Sequence, residues 1–217
     1  MSSSKYPQLQ LAIDVSTEDD ALEIVEKVYP FFDIAEIGTP LIIEHGLLPL
    51  KQIKERFPDK QYLADVKIMD AGRIEATSAF RAGSNIATVL AVADDQTITH
   101  ALDVAAELRG QIMVDLINVG DCLERAKQLE ALGVRILCLH TAYDLQDDGI
   151  DPLAELAAVR QAVDCPLAVA GGLNRDTVGP ALERGADIVI VGGAIHKHES
   201  PGQAAEEIYH LVERIRS

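Results

Sequence analysis

The chain predicts a closed (β/α)8 TIM barrel, on three observations. Short apolar runs alternate with amphipathic helical segments eight times. The eight units fill residues 9 to 216, the length a closed parallel barrel needs. An open doubly wound sheet would carry a G-x-G-x-x-G turn after its first strand, and Asp14-Val15-Ser16-Thr17 stands there instead. No Pro-, Gly- or Ser-rich linker interrupts the pattern, so residues 1–217 read as a single barrel domain.

Each unit has its own justification. In strand one (9–14), Leu9, Leu11 and Ile13 share the face that packs on helices, while Gln10, Ala12 and Asp14 face the barrel. The first helix (19–29) has Thr17 as N-cap, and Glu18, Asp19 and Asp20 suit the positive end of its dipole. Strand two (34–37) puts Ile34 and Glu36 on one face, and a helix at 46–56 follows. Strand three (61–67) aligns Leu63, Asp65 and Lys67, leaves Asp70 just past its end, and leads into a helix at 72–81. Strand four (85–90) precedes a helix at 94–108, and strand five (111–117) one at 121–132. Strand six (136–140) aligns Ile136, Cys138 and His140 ahead of a helix at 152–163. Strand seven (167–170) runs into Gly171-Gly172 and a helix at 176–184. Strand eight (188–191) runs into Gly192-Gly193 and a last helix at 202–216. Gly83, Gly110, Gly133 and Gly185 supply C-terminal stops.

The charge balance narrows the function. With 35 acidic against 19 basic residues and a formal net charge of -16, the chain lacks the basic stripe that nucleic acid requires. It is equally unsuited to an anionic membrane surface. A phosphorylated metabolite remains a fitting ligand, because local dipoles and metal ions set the field within a site. No apolar stretch approaches a membrane span, and the first residues do not read as a signal peptide. Cys122, Cys138 and Cys165 follow no zinc or CxxC spacing and read as reduced thiols of a cytoplasmic protein, with Cys138 as core filler.

The active face of such a barrel is the C-terminal end of its strands. The tips bring together Asp14, Glu36, Asp65, Lys67 and His140, with Asp70 beyond. So many carboxylates around one lysine cannot all stay ionised without a counter-ion. A divalent cation answers that need, and oxygen-only ligands select Mg²⁺ over Zn²⁺. His140 is the candidate proton shuttle. His45, His100, His196, His198 and His210 read as loop or helix-surface residues. The paired glycines Gly171, Gly172, Gly192 and Gly193 let a ligand approach bare backbone, which suits a phosphate cradle at the tips of strands seven and eight.

Asp65-Val66-Lys67-Ile68-Met69-Asp70, with Asp14 after strand one and Glu36-Ile37-Gly38-Thr39 after strand two, resembles the orotidine monophosphate decarboxylase suprafamily. Within it, Ala64 to Gly72, Val89 to Asp94, Met113 to Ile117 and His140 to Gln146 resemble the 3-hexulose-6-phosphate synthase family. Ile68-Met69 stands where the sibling 3-keto-L-gulonate-6-phosphate decarboxylases have Thr-Thr, and Tyr143 where they have arginine. The resemblance implies a Mg²⁺-dependent aldol condensation of formaldehyde with ribulose 5-phosphate through an enediolate. It implies Glu36 and Asp65 as metal ligands, Lys67 as a second positive charge, His140 as base, and Asp14 orienting Lys67 or a sugar hydroxyl. It also implies a homodimer in which Asp70 reaches the neighbouring site. The decarboxylase reaction and a non-catalytic phosphosugar-binding barrel are the competing readings. A ribulose-phosphate epimerase would need more histidines at the tips.

Overall fold

A computed structural model describes residues 6–148 and 153–216. Eight parallel strands close into a barrel in chain order, with β1 pairing with both β2 and β8. The strands are β1 (Gln8–Ile13), β2 (Ile34–Ile37), β3 (Gln61–Ile68), β4 (Ile86–Leu90), β5 (Gln111–Asp115), β6 (Ile136–His140), β7 (Leu167–Ala170) and β8 (Ile188–Val191). Outside them lie α1 (Glu18–Val28), α2 (Thr39–His45), α3 (Leu48–Arg56), α4 (Gly72–Arg81) and α5 (Asp95–Leu108). They continue as α6 (Cys122–Ala131), α7 (Leu156–Ala162), α8 (Arg175–Glu183), α9 (Gly193–His196) and α10 (Pro201–Arg216).

Strands two, six, seven and eight match their expected bounds. Three differences matter. Strand five stops at Asp115 rather than at 117, because Asp115 turns its carboxylate back onto the Ile117 N–H at 2.9 Å. Helix α2 was not expected. Pro40 sits in its first turn, where the missing N–H is harmless, and Gly46 at φ 62° ends it, which delays α3 to Leu48. The expected start of the seventh helix at residue 152, and residues 1–5 of the N-terminal segment, lie outside the described residues.

Alternation divides the core into two shells. Leu9, Leu11 and Ile13 pack outward against helices, as in α1 with Ile24, Val25 and Val28. Ala12, Ile34, Leu63, Ile86, Met113, Ile136 and Cys138 fill the barrel itself. Full burial of each leucine or isoleucine contributes ~1.5–3 kcal/mol. All three cysteines are free and buried. No described helix is long and apolar enough to cross a membrane.

The N-terminal ends of the strands are tied by paired charges. Asp33, just before β2, accepts the Leu9 N–H at 2.9 Å and the Arg216 guanidinium at 2.7 Å. Arg216 also donates to the Pro7 carbonyl at 2.9 Å, fastening the end of α10 to the barrel floor. Asp187, just before β8, accepts the Leu167 N–H and Arg160, each at 2.9 Å.

Candidate active site

Lys67 is held by an irregular strand end. Ala64 pairs with Ala87 and Ile68 with Val89, so three β3 residues, Asp65 to Lys67, stand against Thr88 alone. Such a bulge re-aims side chains. Lys67 adopts the left-handed backbone at φ 48°, which costs a non-glycine residue about 1–2 kcal/mol. Its amide donates to Thr88 Oγ1 at 2.9 Å. Its ammonium pairs with Asp65 Oδ2 and reaches Thr39 Oγ1 at 3.0 Å. Asp65 is buried; Thr88 Oγ1 donates to its Oδ1 at 2.8 Å, and Thr39 Oγ1 to its Oδ2 at 2.7 Å. Burial lowers the Lys67 pKa, but Asp65, Asp115 and Glu36 outweigh it and raise the pKa above the ordinary value. Lys67 is therefore a fixed cation at neutral pH, not a base.

Glu36 is buried one strand over, with Oε2 accepting from Gln10 Nε2 at 2.6 Å. Burial, then repulsion from Asp65 and Asp14, pushes its carboxyl well above the ordinary range. Asp14 stands at the rim just beyond β1. Burial, then Asp65, raises its pKa, and His196, Lys67 and His140 offset part of that. A Cβ on Gly38 would stand 2.1 Å from Asp14 Oδ1, and one on Gly192 would stand 3.3 Å from Oδ2. Two glycines thus make room for this carboxylate. Asp14 acts on Lys67 through space; the ammonium's hydrogen bonds among the described residues go to Asp65 and Thr39. His196, expected at the surface, is half-buried and within electrostatic reach of Asp14.

His140 lies across the mouth with Nδ1 2.7 Å from Asp115 Oδ2. Asp115 is only 3% exposed. A carboxylate can only accept, so Nδ1 carries the proton and Nε2 is left as the basic nitrogen. Cys138 lines the same pocket, but burial, then Asp115, Glu36 and Asp65, pushes its thiol well up and leaves it unreactive.

The glycine tips hold special backbone. Gly171 has φ 98° and Gly172 φ 71°. A Cβ on Gly171 would stand 2.3 Å from the Thr141 carbonyl oxygen. Gly192 precedes α9, and Gly193 opens it. Asp70 is not in this pocket. It is exposed, accepts the Ala71 N–H at 2.6 Å, and borders a wider groove outside the mouth with Arg73, Ile74, Ala93 and Asn118. That groove is larger than the mouth, yet the titratable groups converge at the mouth, which is where chemistry can occur.

Asp14, Glu36, Asp65, Lys67 and His140 are thus gathered at one barrel end, and Asp70 is set apart from them. Thr39, Thr88 and Asp115 join them without having been singled out. Alternation puts Asp115 on the same inward face of β5 as Met113, and that was the available signal. The raised Glu36 carboxyl marks a pocket short of positive charge. No cluster of three ligating side chains occurs among the described residues. Mg²⁺ commonly uses one or two carboxylates and fills its octahedron with water and substrate oxygens. Glu36 and Asp65, both buried and both lining the mouth, fit that use.

A sequence profile of the Orotidine 5'-phosphate decarboxylase / HUMPS family matches residues 7–208. A 3-hexulose-6-phosphate synthase of Bacillus subtilis (strain 168) is 42% identical over 94% of this chain and 98% of its own. The crystal structure of 3-hexulose-6-phosphate synthase from Salmonella typhimurium superposes with a TM-score of 0.94 at 38% identity. It covers 96% of this chain and 99% of that one. A crystal structure of KGPDC from Streptococcus mutans superposes with a TM-score of 0.89 at 26% identity, covering 96% of this chain and 98% of that one. The chain belongs to the orotidine 5'-phosphate decarboxylase / HUMPS family, and within it falls with the 3-hexulose-6-phosphate synthases, enzymes of the aldehyde-lyase class.

Proposed function

We propose that this chain condenses formaldehyde with D-ribulose 5-phosphate to give 3-hexulose 6-phosphate, reversibly and with Mg²⁺. The observation that carries the reading is the pairing, in one pocket, of a fixed ammonium at Asp65 with an imidazole oriented by Asp115. An ammonium and a base on opposite sides of a carbonyl are what enediolate formation needs.

His140 Nε2 takes the proton from C1 of the sugar, next to the carbonyl. Lys67 stabilises the negative charge that then gathers on the carbonyl oxygen. Mg²⁺ held by Glu36 and Asp65 would supply Lewis-acid stabilisation of the same oxygens. The enediolate C1 attacks the formaldehyde carbon, a new C–C bond forms, and His140 returns its proton to the formaldehyde oxygen. Asp14 at the rim orients a sugar hydroxyl. The phosphate rests on backbone N–H groups around Gly171, Gly172, Gly192 and Gly193, where the lack of side chains permits close approach.

In this reading the single barrel domain of residues 1–217 works as a cytoplasmic homodimer. Asp70 supports that: it is exposed, follows the exposed Met69 in the chain, and lines a groove outside its own mouth with the exposed apolar side chains of Ile74 and Val92. Such a patch on an otherwise acidic surface suits burial against a second copy.

The test supplies ribulose 5-phosphate with and without formaldehyde and Mg²⁺. Formaldehyde is expected to disappear only when sugar is present, to persist in excess chelator, and to disappear again on adding Mg²⁺. No formaldehyde loss, with carbon dioxide released from 3-keto-L-gulonate 6-phosphate, would replace this reading with the decarboxylase.

A further inference from the structure

The widened register of β3 against β4 leaves Lys67 in a backbone conformation that a regular strand would not impose. A ladder normally supplies each strand amide with a carbonyl on the neighbouring strand. Here Thr88 is the single β4 residue opposite Asp65, Val66 and Lys67, and its side chain takes over that duty. Its hydroxyl oxygen accepts the Lys67 amide at 2.9 Å and donates its own proton to Asp65 Oδ1 at 2.8 Å. Thr88 is 3% exposed, so no solvent competes for either bond. One hydroxyl therefore joins the backbone of the lysine to the carboxylate that its ammonium pairs with.

We propose that Thr88 is a positioning residue that fixes Lys67 in its left-handed backbone and Asp65 in its rotamer together, so that the ammonium faces the barrel mouth before substrate arrives. A hydroxyl does this and a methyl does not, because the bridge needs an acceptor and a donor on one atom. Thr39 does not duplicate it. Thr39 Oγ1 touches the Lys67 ammonium, the Asp65 carboxylate and the Asp65 carbonyl, and makes no contact with the Lys67 amide. Removing Thr88's hydroxyl leaves the ion pair able to form while its support is gone.

The inference rests on the role given to Lys67 in the proposed reaction, so its test has one part that needs no turnover. Thr88→Val keeps the shape and removes the hydroxyl, whereas Thr88→Ser keeps the hydroxyl. In steady-state assays with ribulose 5-phosphate and formaldehyde, Thr88→Val is expected to lower kcat on the order of 10²-fold, the usual effect of a catalytic group displaced by about an ångström. KM for the sugar should hold within about threefold, because Thr88 is on β4, away from the β7 and β8 tips given to the phosphate in the proposed function, and Thr88→Ser should restore most of kcat. Hydrogen exchange at the Lys67 amide, followed without substrate, should speed up by about tenfold or more in Thr88→Val and stay near wild type in Thr88→Ser. Equal exchange in wild type and Thr88→Val would overturn the inference. So would a Thr88→Ser variant that folds yet loses as much kcat as Thr88→Val. If wild type fails to consume formaldehyde while the exchange contrast holds, the reaction assignment falls and the positioning role of Thr88 stands.

Discussion

At the N-terminal ends of the strands each anchoring acid has its own arginine, Asp33 with Arg216 and Asp187 with Arg160. At the C-terminal ends Asp14, Glu36, Asp65 and Asp115 gather around Lys67 and His140, with His196 within electrostatic reach of Asp14. The floor is neutralised within the chain, and its acids also accept strand amides, so it closes the barrel. The mouth is left with surplus negative charge and a carboxyl pushed well above its ordinary range. Burying charge without a partner is expensive, and a fold gains nothing from it. The imbalance therefore marks the end that waits for something positive, in keeping with the rule that barrel chemistry belongs to the C-terminal face.

The sharpest way to break this comparison is to remove the lysine. Lys67→Ala should lower kcat on the order of 10²-fold or more, the typical loss for a group that stabilises transition-state charge, with the far-ultraviolet circular dichroism unchanged. If the proposed homodimer shares its sites, mixing that chain with an inactive Asp70→Ala chain should recover activity, since one of the two sites in each mixed dimer then has both residues. No recovery after verified subunit exchange would mean that Asp70 serves its own chain's site or none.

A change on the floor should do the reverse. Asp33→Ala removes the hydrogen bonds that its carboxylate accepts from the Leu9 N–H, the Tyr209 hydroxyl and two Arg216 nitrogens, and leaves the Arg216 guanidinium without its carboxylate, costing about 2–3 kcal/mol. For a chain of this length that lowers Tm by roughly 5–10 °C, while kcat at 25 °C should stay within twofold of wild type. A large kcat loss with unchanged Tm would erase the division between the two ends.

The smallest effect concerns Glu36. Its folded pKa is raised, so the metal-free protein keeps this contribution to stability below the ordinary glutamate pKa and loses it as pH rises through the raised value. Glu36→Gln should flatten that decline and raise the metal-free Tm at neutral pH by a few degrees. A pH–stability difference of zero between the two proteins would show that Glu36 carries no such burden.

Much of the mouth was legible because alternation along a strand is a strict rule. Gln10, Glu36, Asp65, Lys67 and His140 all face the interior that the period of two assigned to them. Asp115 was lost because Leu116 and Ile117 are apolar and prolonged the apparent strand past its true end. Thr39 was lost with α2, whose Thr39-Pro40 start follows β2 with only Gly38 between. Thr88 carries no charge, and its two hydrogen bonds exist only because the β3–β4 register widens, which no local pattern announces. Asp33 and Asp187 meet arginines from α10 and α7, far apart in the chain, so the floor became visible only in three dimensions.

The most direct measurement is solvent exchange at C1 of ribulose 5-phosphate in D₂O, with Mg²⁺ and without formaldehyde. If Lys67 and the Asp115-oriented His140 form an enediolate, deuterium enters C1 in the absence of any second substrate. Lys67→Ala and His140→Ala should each abolish that incorporation. Condensation with formaldehyde at full rate, with no wash-in of deuterium and no loss in either variant, would contradict catalysis by this charged end of the barrel.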